Sequence, residues 1–293
     1  FGSSVAVSDG RIAVGARNEG AIYVYRDAAG GWELTDRLQP SGTIASNRFG
    51  AGLVLDSSWL AFNGEVDDRE AGQRGEAVYL YAVTEGHLEL NSVIHSDPNE
   101  SASFFGGSIA LAGDTIAIGA SNHGPTSRSS GAPVLTDELA APRGLVAHAF
   151  GASLALAGDL LAVGSPGEDY GGYRSGPVVL FGRNGGAWDA ISTLLPNTLS
   201  GDDRFGTDLA LIGEDLLVAG YTDNDLPSGS TYTVHYERAS EQWVEVAARV
   251  TSTSSASARF TKIASDGATL LVGVANAEDV STVESFQLNR SPR

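Results

Sequence analysis

The dipeptide Phe-Gly opens a similar segment again and again along this chain, at Phe1-Gly2, Phe49-Gly50, Phe105-Gly106, Phe150-Gly151 and Phe205-Gly206. A sixth copy begins at Phe260, where Thr261 replaces the glycine. The copies are spaced 48, 56, 45, 55 and 55 residues apart. A period of that length is longer than a leucine-rich or ankyrin unit and close to the ~40–50 residues of one propeller blade. A chain built this way must stack units that each leave an apolar face for the next unit to cover.

Inside the units the order of elements recurs. A short apolar strand comes first, as in Val5-Ala6-Val7, Leu53-Val54-Leu55, Ile109-Ala110-Leu111, Leu154-Ala155-Leu156 and Leu209-Ala210-Leu211. A tight turn such as Ser8-Asp9-Gly10 or Ala157-Gly158-Asp159 leads to a second apolar strand, as in Ile12-Ala13-Val14 or Leu161-Ala162-Val163. Turn residues between apolar runs read as a hairpin. A third strand alternates, with Tyr23 and Tyr25, Tyr79 and Tyr81, and Tyr232 and Tyr236 on one side. A fourth, more polar strand carries Trp32, Trp188 or Trp243 and reads as an outer edge.

Four strands, apolar inside and alternating outside, make one blade of a β-propeller. The expected fold is therefore all-β, with six blades at residues 1–48, 49–104, 105–149, 150–204, 205–259 and 260–293 in one domain. Phe1, Phe49, Phe105, Phe150, Phe205 and Phe260 are expected to wedge between blades, and the glycines to permit close backbone approach. The third unit has no tyrosine pair or tryptophan between residues 132 and 149. The sixth stops after a third strand near Val283 to Leu288, which leaves an open edge and allows a seventh blade if the chain is an excerpt.

The pattern resembles the FG-GAP repeat of integrin α-chain propellers, and most closely its secreted bacterial branch. The fullest copy runs from Phe150-Gly151-Ala152-Ser153 through Leu161-Ala162-Val163-Gly164-Ser165-Pro166-Gly167-Glu168-Asp169-Tyr170 to Trp188, and closes with Gly201-Asp202-Asp203-Arg204. The resemblance implies an extracellular or cell-surface module concerned with adhesion, with functional loops on one face. It also brings in calcium, held in some relatives by the turn between the first and second strands. Here those turns, such as Ser8-Asp9-Gly10-Arg11 and Ile212-Gly213-Glu214-Asp215, lack the spaced oxygen ligands that calcium requires. No metal site and no cofactor are therefore expected.

The charge narrows the partners. With 36 acidic and 18 basic side chains the net charge is −18, which repels nucleic acid and anionic lipid but suits basic proteins and cations. No run of about 18 apolar residues or lysine-led leader is present, so neither membrane insertion nor a signal peptide is expected. The chain begins without methionine and reads as a processed product or an excerpt. Cysteine and methionine are both absent, which suits an oxidising setting.

Acids collect in the segments that join strands two and three: Glu65, Asp67 and Asp68; Glu168 and Asp169; Asp223 and Asp225. Tyr170, Tyr173 and Arg174 add exposed aromatics beside an arginine, a combination suited to protein or sugar recognition. These ten residues are the expected ligand-binding set, set against a plain solvated acidic surface. No catalytic residues are expected, because neither a Gly-x-Ser-x-Gly elbow nor a His-Glu-x-x-His motif occurs. His235, between Val234 and Tyr236, reads as structural. The residues leave three functional readings open: a non-catalytic binding module for a protein or glycan ligand, a packing unit of a surface array that self-associates through the last blade, and a hydrolase using loop carboxylates.

Overall fold

In a computed structural model of the chain, the described residues are 1–44, 46, 48–68, 73–84, 87–96, 104–121, 139–142, 149–169, 175–197, 203–213, 215–222, 230–240, 242–251, 258–265, 269–276 and 281–287. They are almost entirely strand, with one 3₁₀ turn at Arg17–Glu19. None of these residues lies in a helix long and apolar enough to cross a membrane. Two compact units emerge, Phe1–Ala140 and Ala141–Arg293.

In the first unit, β1 (Val5–Ser8), β2 (Arg11–Ala16), β3 (Ala21–Ala28) and β4 (Gly31–Leu38) pair in sequence order as one antiparallel sheet. The second sheet joins β6 (Leu53–Leu55), β7 (Trp59–Asp68), β8 (Gln73–Val83) and β9 (Leu88–His95). A short extra strand, β5 (Thr43–Ile44), pairs with the far end of β7. The third sheet is described as β10 (Phe105–Ala112) with β11 (Thr115–Ala120). The tyrosine-free stretch noted in the sequence lies largely outside the described residues.

In the second unit, β12 (Ser153–Ala157), β13 (Leu160–Gly164), β14 (Val178–Asn184) and β15 (Ala187–Leu194) form one sheet. β16 (Asp208–Ile212), β17 (Asp215–Thr222), β18 (Ser230–Ala239) and β19 (Gln242–Thr251) form the next. β20 (Ala258–Ser265), β21 (Thr269–Asn276) and β22 (Ser281–Gln287) form a three-stranded last sheet.

Alternation along the strands builds the core between neighbouring sheets. Val24 and Ile22 of the first sheet meet Phe49, Leu60, Phe62 and Tyr79 of the second. The intervening residues Ala61, Val78 and Leu80 turn the other way and meet Phe105 and Ile109 of the third. In the second unit Ala162, Val178 and Leu180 meet Phe205, Leu216, Val218, Tyr232 and Tyr236. Two-sided burial explains why the inner strands are continuous apolar runs, and each large side chain so buried contributes roughly 1.5–3 kcal/mol.

The wedge expectation holds for Phe49, Phe105 and Phe205, each buried in a cluster drawn from two sheets. Phe150 is half-buried against Phe181, with ring centroids 6.3 Å apart. Phe1 departs from the expectation. It is 69% exposed and touches Tyr23 of its own sheet edge-on. Val5 and Val7 are exposed as well, although both belong to an inner strand expected to be buried. The reason is alternation: Ser4, on the opposite face, donates to the Gly50 carbonyl of the second sheet, so Val5 and Val7 point away from it. Phe260 lies in β20, where side chains fall outside the described residues.

The glycine of the motif does what its lack of a side chain permits. At Gly106, with φ +75°, a Cβ would stand 2.6 Å from Val78 Cγ2 and 2.7 Å from Asn63 Cβ. Gly206 presents its carbonyl to Gly164 of the preceding sheet, where any side chain would collide with it. The hydroxyl of Ser153 donates to that same carbonyl at 2.7 Å. Asp208 occupies the equivalent place one sheet on, and its carboxylate accepts the backbone N–H of Ile263 at 2.8 Å. Three residues after the phenylalanine, Ser4, Ser153 and Asp208 are thus latches to the next sheet, whereas the second unit carries Gly52 there.

The outer strands share another device. In all four complete outer pairs the register slips just before an aromatic of the third strand: Val24/Tyr25, Leu80/Tyr81, Leu180/Phe181 and His235/Tyr236. A bulge at this place twists the edge strand away from further pairing.

Candidate functional site

The acids read as a loop surface fall into different settings. Glu65, Asp67 and Asp68 lie on strand β7 rather than in a loop, because β7 and β8 continue as a long hairpin with Glu65 opposite Glu76, Asp67 opposite Arg74 and Asp68 opposite Gln73. The side chains of Asp67 and Asp68 are outside the described residues. Facing carboxylates at Glu65 and Glu76 repel, and Arg48 offsets this from one side. Its Nη1 lies 2.7 Å from Glu76 Oε1, and its guanidinium stacks over Phe104, 3.9 Å from the ring centre. The second oxygen of Glu76 accepts the backbone N–H of Phe105 at 2.8 Å. Arg48 and Glu76 therefore anchor the hairpin to the start of β10. The sequence reading missed both, although an arginine stands before Phe49 and again before Phe205.

Glu168 is a correction. It was expected on the solvent-facing acidic surface, yet it is 1% exposed. The backbone explains the burial: Glu168 N–H donates to Ser165 O, Gly176 N–H to Glu168 O, and Phe205 N–H to Ser175 O, which cinches the base of this loop onto the next sheet. Asp203 is equally buried, and its carbonyl accepts the Tyr232 hydroxyl at 2.6 Å. Both acids belong to the scaffold of the loop. Asp169, its neighbour in the chain, is exposed. Tyr170, Tyr173, Arg174, Asp223 and Asp225 lie outside the described residues.

The shifted ionisations follow burial. Tyr79 is pushed up to about 12 by burial and then by neighbouring Tyr81, which burial also raises. Burial drives Tyr232 well above its ordinary value, with Asp203 and Tyr236 adding to it, and raises Tyr236, helped by Glu245. Burial lowers His95. Every one of these groups lies in a sheet, so the shifts record packing rather than a reactive centre.

Two further arrangements were not anticipated. A cleft of about 460 Å³ in the second unit is lined by Asp159, Arg183, Asp189 and Arg238 among others. Its charges are of both signs, and Arg183 Nε pairs with Asp159 at 2.8 Å while its guanidinium lies 5.4 Å from the Trp188 ring centre. The other arrangement is Asp215, His235 and Glu237, whose ligand-type atoms all lie within 4.8 Å of one another. From the sequence alone no metal ligands are expected, and His235 reads as structural. The pattern His-x-Glu on one strand was visible; its third member depended on the register that sets Asp215 opposite Glu237.

Stacked four-stranded antiparallel sheets, joined at glycine hinges and latched from one to the next, define a β-propeller. Solved structures agree. The chain is similar to the WD40 domain of coronin from Toxoplasma gondii at 10% identity, covering 98% of this chain and 70% of that one with a TM-score of 0.54. It is similar to the periplasmic gluconolactonase PpgL of Pseudomonas aeruginosa at 16% identity, covering 97% and 80% with a TM-score of 0.58. It is similar to the SapL1 lectin, solved with α-methyl fucoside, at 14% identity, covering 98% and 92% with a TM-score of 0.52. At these identities the likeness is one of fold. No family model matches the chain, and no curated protein matches it.

Proposed function

We propose that this propeller is a non-catalytic binding module of the FG-GAP type, working at the cell surface or outside the cell on a protein or glycan ligand. The observation that carries the reading is the β7–β8 hairpin. Among the described residues it is longer than its counterparts in the other sheets, gains the extra strand β5, and is anchored by Arg48 and Glu76. A feature found in one repeat of a repetitive scaffold is where specificity belongs. Its acids Glu65, Asp67 and Asp68, with the net charge of −18, favour a basic partner. A likeness in fold to a fucoside-bound lectin is compatible with a glycan.

The test is a screen of the whole chain against basic proteins and immobilised glycans, beside a variant carrying Glu65→Gln, Asp67→Asn and Asp68→Asn. The expected outcome is a ligand retained by the parent and released at least about 10-fold faster by the variant, with the thermal midpoint unchanged. Turnover of a sugar lactone or glycoside by the parent chain would overturn the reading in favour of a hydrolase.

A further inference from the structure

We propose that Asp215, His235 and Glu237 form a site for a divalent first-row transition ion such as Zn²⁺, on the outer half of the β17–β18 hairpin. Register brings the residues together. Asp215 stands directly opposite Glu237, and His235 precedes Glu237 by two residues, so all three side chains share one face of the sheet. That face is the one opposite Tyr232, Val234 and Tyr236, which are buried against the preceding sheet.

The geometry fits an ion better than it fits direct bonding. His235 Nε2 is sealed from solvent and has no hydrogen-bond partner among the described residues. It lies 3.7 Å from Asp215 Oδ1, too far for a hydrogen bond between them. Two donors at that separation, each about 2.1 Å from a shared ion, subtend roughly 125° at it, an angle suited to a trigonal or tetrahedral zinc site. Where donors stand at the 4.8 Å limit, they must close by about 0.6 Å to share an ion with bonds of about 2.1 Å. Glu237 reaches solvent at the edge of the cluster, and its long side chain can make that movement.

The donor set selects the ion class. One imidazole nitrogen with two carboxylate oxygens suits zinc and its neighbours, whereas calcium takes six or more oxygens. Leu217, buried and opposite His235 across the two strands, gives the site an apolar wall that lowers the local dielectric and strengthens the attraction between ion and carboxylates. Three protein donors leave a fourth position for water or for a group from a ligand.

The experiment is titration of the chelator-treated whole chain with Zn²⁺ by calorimetry, and with Co²⁺ by visible absorption, whose intensity reports a tetrahedral nitrogen–oxygen site. One equivalent is expected to bind the parent. Glu237→Gln, which keeps the size of the side chain and removes its charge, is expected to weaken binding at least about 10-fold with the ion-free thermal midpoint unchanged. His235→Gln is expected to remove the site and the cobalt spectrum. Absence of a zinc equivalent in the parent, or a full equivalent with the same cobalt spectrum in His235→Gln, would overturn the proposal; the latter would assign the ion to another histidine.

Discussion

Phe49 and Phe1 begin the same dipeptide, yet one is fully buried and the other is 69% exposed. Both touch an aromatic of their own sheet, Phe62 for Phe49 and Tyr23 for Phe1, at nearly the same centroid distance of 5.6 and 5.4 Å. Phe49 is closed over by Ile22 and Val24, just as Phe205 is by Val178 and Leu180. The motif therefore supplies the knob, and the neighbouring sheet supplies the hole. Sequence identity at the dipeptide does not by itself confer stability.

The comparison breaks most readily at the ring. Phe49→Ala and Phe205→Ala are each expected to cost about 3–5 kcal/mol by loss of a buried aromatic, against under about 0.5 kcal/mol for Phe1→Ala. Denaturant unfolding of the whole chain measures all three, and equal losses would refute the account. The glycines sharpen it. Gly2 and Gly106 have nearly the same φ, +78° and +75°, but a Cβ at Gly2 meets nothing within 4 Å. Gly2→Ala should cost about 1 kcal/mol for the left-handed backbone alone, and Gly106→Ala about 3 kcal/mol once collision with Val78 and Asn63 is added.

The smallest effect is in pH. The tyrosines that surround the buried rings have folded-state pKa values raised above 10, with Tyr79 at about 12. Their contribution to stability is complete below pH 10 and is lost as pH rises from 10 through about 12, because only the unfolded chain ionises freely there. Absorbance titration near 295 nm should show a late-ionising class of tyrosines. In Phe205→Ala, which opens the packing beside Tyr236, part of that class should move toward ordinary values. A titration unchanged by the substitution would detach the tyrosine shifts from the wedge.

Much of the fold was legible along the chain. The period of the Phe-Gly units, the apolar hairpin at Leu154–Val163 and the tyrosine alternation at Tyr232–Tyr236 each register a local backbone preference or a two-residue side-chain period. The candidate site was less so. Glu168 and Asp169 are adjacent and chemically alike, yet one is buried and one exposed, since the cinched loop base decides which way each points. Glu65, Asp67 and Asp68 read as loop residues because acids are poor strand formers; pairing with β8 overrode that preference. Asp215 and His235 are 20 residues apart and gave no spacing signal.

What the sequence determined alone is the repeat, and with it the sheet order, the apolar inner strands and the glycine hinges, since these rest on periodicity and on backbone freedom within a few residues. Tertiary structure decided which phenylalanines are buried, which acids are scaffold and which donors converge at His235. Those outcomes depend on strand register and on the face that a neighbouring sheet covers, and a one-residue slip in pairing would invert every one of them.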